Sequence, residues 1–227
     1  MYELHIANKN YSSWSLRPWL LLTELGIPFA ERITPFGGPD NWRAFRAFSP
    51  NGKVPCLRDG EAVVWESLAI AEYLAERHAG VWPADAAARA WARCAAAEMH
   101  AGFAALRGTC PMNCGLRVRL RGIGAALQAD LGRLAELWSE GLDRFGGPFL
   151  AGPAFGAVDA FFAPVAWRIQ SYGLPLAPEP AAYAARLREL PGMRRWYAEA
   201  LAEPWREPAH EADALAHGEL AEDLRAV

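Results

Sequence analysis

Long apolar runs are missing from this chain: no stretch approaches the length of about 20 residues that a membrane-spanning helix needs. That absence predicts a soluble protein. The first residues, Met1-Tyr2-Glu3-Leu4-His5-Ile6, lack the basic region, the apolar stretch and the small-residue cleavage site of a secretion signal, and they read as a first strand. An excess of one charge is missing too. With 23 basic against 26 acidic residues and a net charge of −3, nothing favours nucleic acid or an anionic membrane as partner. Cysteine is scarce: four residues with no ladder of paired spacings predict free thiols in a reducing cytoplasm. Cys110 and Cys114 stand four apart, but no Cys or His pair at zinc-finger spacing completes a metal site, so no metal is expected. The chain has 227 residues, 52% hydrophobic and 22% charged, an ordinary globular balance with room for one or two lobes. Two lobes and a small-molecule partner are the expectation.

Residues 1–78 carry signals in the order strand, helix, strand, helix, strand, strand, helix. A strand at 4–7 leads to a helix at 13–25 that stops at Gly26, a C-terminal cap, and a strand at 29–33 completes a βαβ unit. Pro18 is tolerated without loss only in a first helical turn, so the helix is expected to start at 13–15 and leave Ser12 in the preceding loop. A short aromatic-bearing helix at 41–48 comes next. Strands at 56–58 and 62–64 form a hairpin about Asp59-Gly60, and a helix at 66–77 closes the lobe.

Beyond Gly80-Val81-Trp82-Pro83 alanine-rich helical segments take over, which predicts a second, all-helical domain over 85–227. Asp85 caps a long helix along which Trp91, Met99, Phe103 and Leu106 recur at helical spacing, ended by Cys110-Pro111-Met112-Asn113. A helix at 123–144 is broken by Gly146-Gly147-Pro148. The segment 158–172 is apolar nearly all round and predicts a buried central helix, with further helices at 181–190 and 192–202. No role is legible in the tail from Glu203, with its His210 and His217.

One arrangement points to a ligand. In Lys53-Val54-Pro55 the proline, read as following a short strand, can hold a cis bond that turns the N–H and C=O of Val54 toward an extended ligand backbone. Eleven residues after Pro55, Glu66-Ser67 opens an apolar helix, whose first N–H groups and positive dipole end suit an anion. Ser67 and its amide would take a carboxylate while Glu66 accepts an amino group. A bare Glu-Ser helix cap would explain the pair alone, but not its fixed distance from Val54-Pro55.

A lobe with Val-Pro and Glu-Ser at this distance, followed by a helical lobe, resembles the cytosolic glutathione transferases over nearly the whole chain. The segment Asn10-Tyr11-Ser12-Ser13-Trp14-Ser15-Leu16-Arg17 resembles the serine-type active-site region of the zeta, tau and theta classes. Ser12 lies fourteen positions before Gly26, the separation that zeta and tau members show. Ser13 and Arg17 fall where zeta members carry a second serine and an arginine. The resemblance extends to a little-characterised bacterial branch through NKNYSSWSLRPWLLL, Glu98-Met99-His100 and Cys110-Pro111-Met112-Asn113. It implies a thioredoxin-like α/β lobe and an all-α lobe, a cytoplasmic homodimer, and glutathione as co-substrate in detoxifying conjugation of a small, largely apolar electrophile. One departure is Gly156 three residues before Asp159, where the superfamily has a capping Ser or Thr.

The implied chemistry needs a thiolate, and a thiol of pKa roughly 8.5 is mostly protonated at neutral pH. A hydroxyl at a helix start stabilises the anion by donating to sulfur, aided by the amides and dipole beside it. Ser12 fits that task, although a plain capping serine stands in the same place; Ser13 and the phenol of Tyr11 are its rivals. Lys53 would meet the glycine carboxylate of glutathione, or is an exposed edge lysine. Val54 and Pro55 would pair with the backbone of glutathione. On the long helix His100 and Arg107 would line the second substrate's pocket with Trp14, Trp42 and Phe103, unless these aromatics are core. Cys56 is expected to be a buried strand cysteine. Two other functions stay open: glutathione-dependent isomerisation of a maleyl-type substrate, and a non-catalytic binding module on the same fold. Disulfide exchange would need a cysteine where Ser12 stands.

Overall fold

The computed structural model describes residues 1–37 and 41–225. Strand β1 (Tyr2–Ile6), helix α1 (Ser13–Glu24) and strand β2 (Phe29–Ile33) make the expected βαβ unit, β1 and β2 pairing in parallel. Helix α2 (Asn41–Arg46) follows. Strands β3 (Cys56–Asp59) and β4 (Ala62–Trp65) form the antiparallel hairpin, and helix α3 (Ser67–Ala75) returns across the sheet. The sheet order is β2-β1-β3-β4, so β1 is internal and its inward residues Leu4 and Ile6 are fully buried. Leu16, Leu20 and Trp19 of α1 cover them from one side of the molecule's core. Gly26 adopts φ +64° after α1, the left-handed cap that stops the helix.

The remaining helices are α4 (Ala86–Ala101), α5 (Ala104–Thr109), α6 (Ala125–Phe145), α7 (Ala157–Tyr172), α8 (Pro178–Glu189), α9 (Pro191–Ala202) and α10 (Pro208–Leu215). Helix α7 is buried almost all round, as its composition predicts, and packs against α1, α4 and α8. Its first turn is held by Asp159, which accepts the N–H of Gly156 and of Leu150, both at 3.0 Å, and the Tyr183 hydroxyl at 2.7 Å. The glycine cap is therefore compensated by two donors from outside the capping box.

Four expectations are corrected. The second lobe is not wholly helical: β5 (Leu116–Leu120) pairs antiparallel with β6 (Gly218–Asp223). In β5 Leu116 and Val118 are buried while Arg117 and Arg119 point away, a period of two that the surrounding alanine-rich helices obscure. The long helix from Asp85 breaks at Gly102, where a Cβ would meet the carbonyl of Glu98 at 2.8 Å, and Phe103 follows at φ +58°. Pro18 lies beyond the first turn of α1, where it supplies no N–H to the Trp14 carbonyl. The Val54–Pro55 bond is cis, but the strand β3 follows it and does not precede it.

Candidate active site between the sheet and the helices

The predicted site divides into a cavity and a clamped loop. The cavity, of about 170 Å³, is lined by Trp14, Asn51, Lys53, Val54, Pro55, Glu66 and His100. It joins the loop before β3, the start of α3 and the C-terminal turn of α4. The Lys53 backbone N–H donates to Asn51 Oδ1 at 3.0 Å, and Lys53 is exposed at the rim. Glu66 takes φ +52°, a conformation disfavoured for a side-chain-bearing residue. That turn sets its carboxylate 3.4 Å from the His100 imidazole. Ser67, the first residue of α3, is buried, and its hydroxyl has no hydrogen-bond partner among the described residues. A partnerless hydroxyl beside unpaired helix N–H groups is free to receive an anion.

A larger cavity of about 560 Å³ lies elsewhere, lined by Trp82, Arg89, Arg93, Phe155 and neighbours of Gly80, and shares no residue with the predicted site.

The clamped loop runs from β1 to α1. Ser12 caps α1: its Oγ accepts the Ser15 N–H at 3.4 Å and donates to Ser15 Oγ at 2.7 Å. It is 5% exposed, and neither it nor Ser13 lines the cavity, where α1 presents Trp14 instead. Ser13 Oγ accepts from Arg168 at 3.3 Å. Tyr11 faces away. Its hydroxyl donates to Glu211 at 2.5 Å and accepts the Glu207 N–H at 3.3 Å, and burial with the Glu211 bond pushes the phenol up to about 12. The geometry thus speaks against Tyr11 as a donor to a ligand sulfur, because its proton is committed to the tail.

That tail was silent in the sequence. Glu203 accepts the N–H groups of Lys9 and Asn10, and His210 stacks on both Tyr11 and Phe36. Glu211 is held in turn by Arg225 and Asn113. The loop that carries Ser12 is therefore positioned from the far end of the chain.

Of the residues expected around a second substrate, Trp14 and His100 meet edge to face at 5.1 Å on the cavity wall. Burial, and then Arg17, holds the His100 imidazole below its ordinary pKa, against the pull of Glu66. Arg107 folds back onto the α4–α5 junction, donating to the carbonyls of Met99, His100 and Gly102, and its guanidinium lies 4.8 Å over Trp14. Phe103 belongs to the core and not to the cavity wall, and Trp42 is 64% exposed beside Arg46. Cys56 is buried as expected. Cys110 and Cys114 are buried free thiols, the first pushed up to about 12 by burial. Among the described residues no group of three or more His, Cys, Asp or Glu gathers as metal ligands.

In the sequence Arg17 matches the zeta class but has no place in the predicted site. It is 1% exposed, and among the described residues none of its three guanidinium nitrogens has a hydrogen-bond partner. The rings of Trp14, at 4.1 Å, and Phe161, at 4.9 Å, sandwich it. Such ring contacts contribute up to about 2 kcal/mol, short of the several kcal/mol that desolvating an ion costs. Burial first, and then Arg107 and Arg168, push its pKa far down. An arginine inside the apolar run Leu16–Leu22 was the signal for it.

A parallel and antiparallel four-stranded α/β lobe with a cis-proline loop and a helix N-terminus facing a helical lobe defines the glutathione transferase fold. Residues 11–77 match the family description "Glutathione S-transferase, N-terminal domain". Glutathione S-transferase GstB of Escherichia coli is 26% identical over 215 residues, which cover 83% of this chain and 88% of that protein. Dichloromethane dehalogenase of Methylorubrum extorquens is 43% identical over 63 residues, a match spanning 26% of this chain and only 22% of the dehalogenase. Among solved structures, a Burkholderia glutathione transferase homologue with bound glutathione superposes at TM-score 0.65 with 24% identity, covering 88% of this chain and 97% of that one. The theta-class glutathione S-transferase of Xanthomonas axonopodis pv. citri, with glutathione bound, does so at 0.61 and 27%, covering 86% and 96%. Residues 11–77 thus match the glutathione S-transferase N-terminal domain, and the chain as a whole has the fold of the glutathione transferases.

Proposed function

We propose that this protein binds glutathione on residues 1–78 and delivers its thiolate to a small electrophile held against residues 85–227, the last two of which lie outside the described residues. Glutathione's backbone pairs with Val54 before the cis-proline, its glutamyl carboxylate meets Ser67 and the α3 amides, its amino group meets Glu66, and Lys53 reaches the glycine carboxylate. This directs the sulfur toward the start of α1, where Ser12 redirects its hydroxyl from Ser15 to the thiolate in the manner of the serine-type classes. Trp14 and His100 then face the electrophile. Assembly as a homodimer in the cytoplasm belongs to the same reading. The observation that carries it is the convergence of the Val54-Pro55 loop and Glu66 on one cavity, with the partnerless Ser67 hydroxyl next in the chain to Glu66 at the start of α3. Bound glutathione in the Burkholderia and Xanthomonas relatives supports it. Calorimetric titration with glutathione tests it: saturable binding below millimolar concentration is expected, and no binding at several millimolar would overturn every part of it.

A further inference from the structure

Around Arg17 the helical lobe gathers more positive charge than acid. Arg168 is buried with its Nε unpaired, its other nitrogens donating to the Cys110 carbonyl and to Ser13 Oγ. Arg107 spends its donors on backbone carbonyls and has Asp130 as its acidic neighbour. The three guanidinium groups act on one another: Arg107 and Arg168 both disfavour the charged form of Arg17, and Arg107 that of Arg168. The negative charge felt at Arg17 comes from Glu66, which makes no hydrogen bond with it. If Glu66 takes the ammonium of glutathione, as proposed above, that charge is neutralised and Arg17 is left with no counter-ion at all. A buried cation bearing three unused donor nitrogens is unfavourable unless an anion arrives to satisfy it. Arginine's planar fork suits a carboxylate, which it can hold through two parallel bonds.

The approach to Arg17 is also specific. Trp14 lines the small cavity and also packs on the Arg17 guanidinium at 4.1 Å, whereas Arg17 itself does not line the cavity. His100, whose ring abuts Trp14, is disfavoured as a cation and does not compete for an anion.

We infer that the second substrate bears a carboxylate, which displaces the Trp14 indole and is held by Arg17 at the centre of the Arg107 and Arg168 cluster. This rests on the glutathione reading and narrows it from an apolar electrophile to an anionic one. The attack itself is unchanged in kind: the thiolate forms a C–S bond and the leaving group departs with the electron pair.

The test uses 4-chloro-3-nitrobenzoate and its methyl ester, which differ at the carboxylate and release chloride to the same thiolate attack. With each kcat/KM divided by the compound's uncatalysed rate with glutathione, since the neutral ester activates the ring more than the carboxylate, wild type is expected to favour the benzoate at least tenfold, mainly through KM. Arg17→Met, which removes a buried charge and keeps the stem, is expected to erase that preference while the calorimetric affinity for glutathione stays unchanged. Arg17→Lys, which keeps the charge without the fork, is expected to retain part of it. Equal rate enhancement over the uncatalysed reaction for the two electrophiles in wild type would overturn the inference. So would a loss of glutathione affinity in Arg17→Met with the benzoate preference intact, since Arg17 would then face glutathione's own carboxylate. If wild type binds no glutathione, the functional proposal fails separately, and calorimetry with 4-chloro-3-nitrobenzoate alone decides the subsite. Binding that Arg17→Met abolishes supports it, and absence of binding overturns it.

Discussion

Tyr11 and Ser12 are adjacent, but their hydroxyls belong to different parts of the molecule. The Ser12 proton rests on Ser15, a neutral acceptor from which a thiolate can take it, because a hydrogen bond to an anion is roughly twice as strong as one between neutral groups. The Tyr11 hydroxyl already donates to the Glu211 carboxylate. Ser12→Ala is therefore expected to raise the pKa of bound glutathione in an ultraviolet thiolate titration and to lower kcat/KM by about one to two orders of magnitude. It also removes a helix cap, at about 1 kcal/mol. Tyr11→Phe should do the reverse, destabilising by about 1–2 kcal/mol in urea through the partners left unpaired while the thiol titration stays in place. A thiol pKa that moves with Tyr11→Phe and not with Ser12→Ala would exchange their roles. The sequence alone left Tyr11, Ser12 and Ser13 open because side-chain direction in a loop depends on what it meets, and Tyr11 meets residues 200 positions away. The cis bond at Val54-Pro55 and the helix start at Ser67 were legible because a proline and a helix start declare backbone geometry locally.

Elements were legible where one local rule decided them and failed where a distant contact did. The βαβ unit, the Asp59-Gly60 hairpin and the buried α7 follow from periodicity and turn residues, whereas β5 needs β6, about a hundred residues later, to become a strand. Helix α6 isolates the same contrast at two glycines. At exposed Gly132 an added Cβ meets nothing within 4 Å, so Gly132→Ala is expected to stabilise by up to about 1 kcal/mol, the intrinsic helix preference of alanine. At buried Gly141 the Cβ would lie 2.6 Å from the Leu150 carbonyl and 2.5 Å from the Trp91 ring. Backbone cannot yield as a side chain can, so overpacking of about 1–3 kcal/mol outweighs the same propensity gain and Gly141→Ala is expected to destabilise. Paired urea melts read both; equal shifts in the two variants would mean that propensity alone governs α6.

Over the whole molecule the lobes are pinned at Lys9, within the loop that carries Ser12. Its ammonium is 2% exposed and pairs with Glu31 of β2 and Glu199 of α9, one from each lobe. It lies over Trp19 at 4.9 Å and Trp196 at 5.5 Å, again one from each. Its carbonyl accepts the Trp196 indole N–H at 2.9 Å, so backbone and side chain cross the same boundary. Lys9→Met keeps the stem against both rings but leaves two carboxylates facing each other. Removing one partner of a buried ion pair costs about 3–5 kcal/mol, and here less, about 2–3 kcal/mol, because Glu31 and Glu199 keep 22% and 37% of their exposure and Glu199 retains Arg195. For a chain of this size that corresponds to a melting point lower by roughly 4–12 °C. Because the change acts at the boundary, glutathione affinity should fall with it, and adding Glu199→Gln should recover part of the melting point by removing one of the stranded charges. An unchanged melting point in Lys9→Met would place the coupling of the lobes in the apolar packing of α1 on α7 instead.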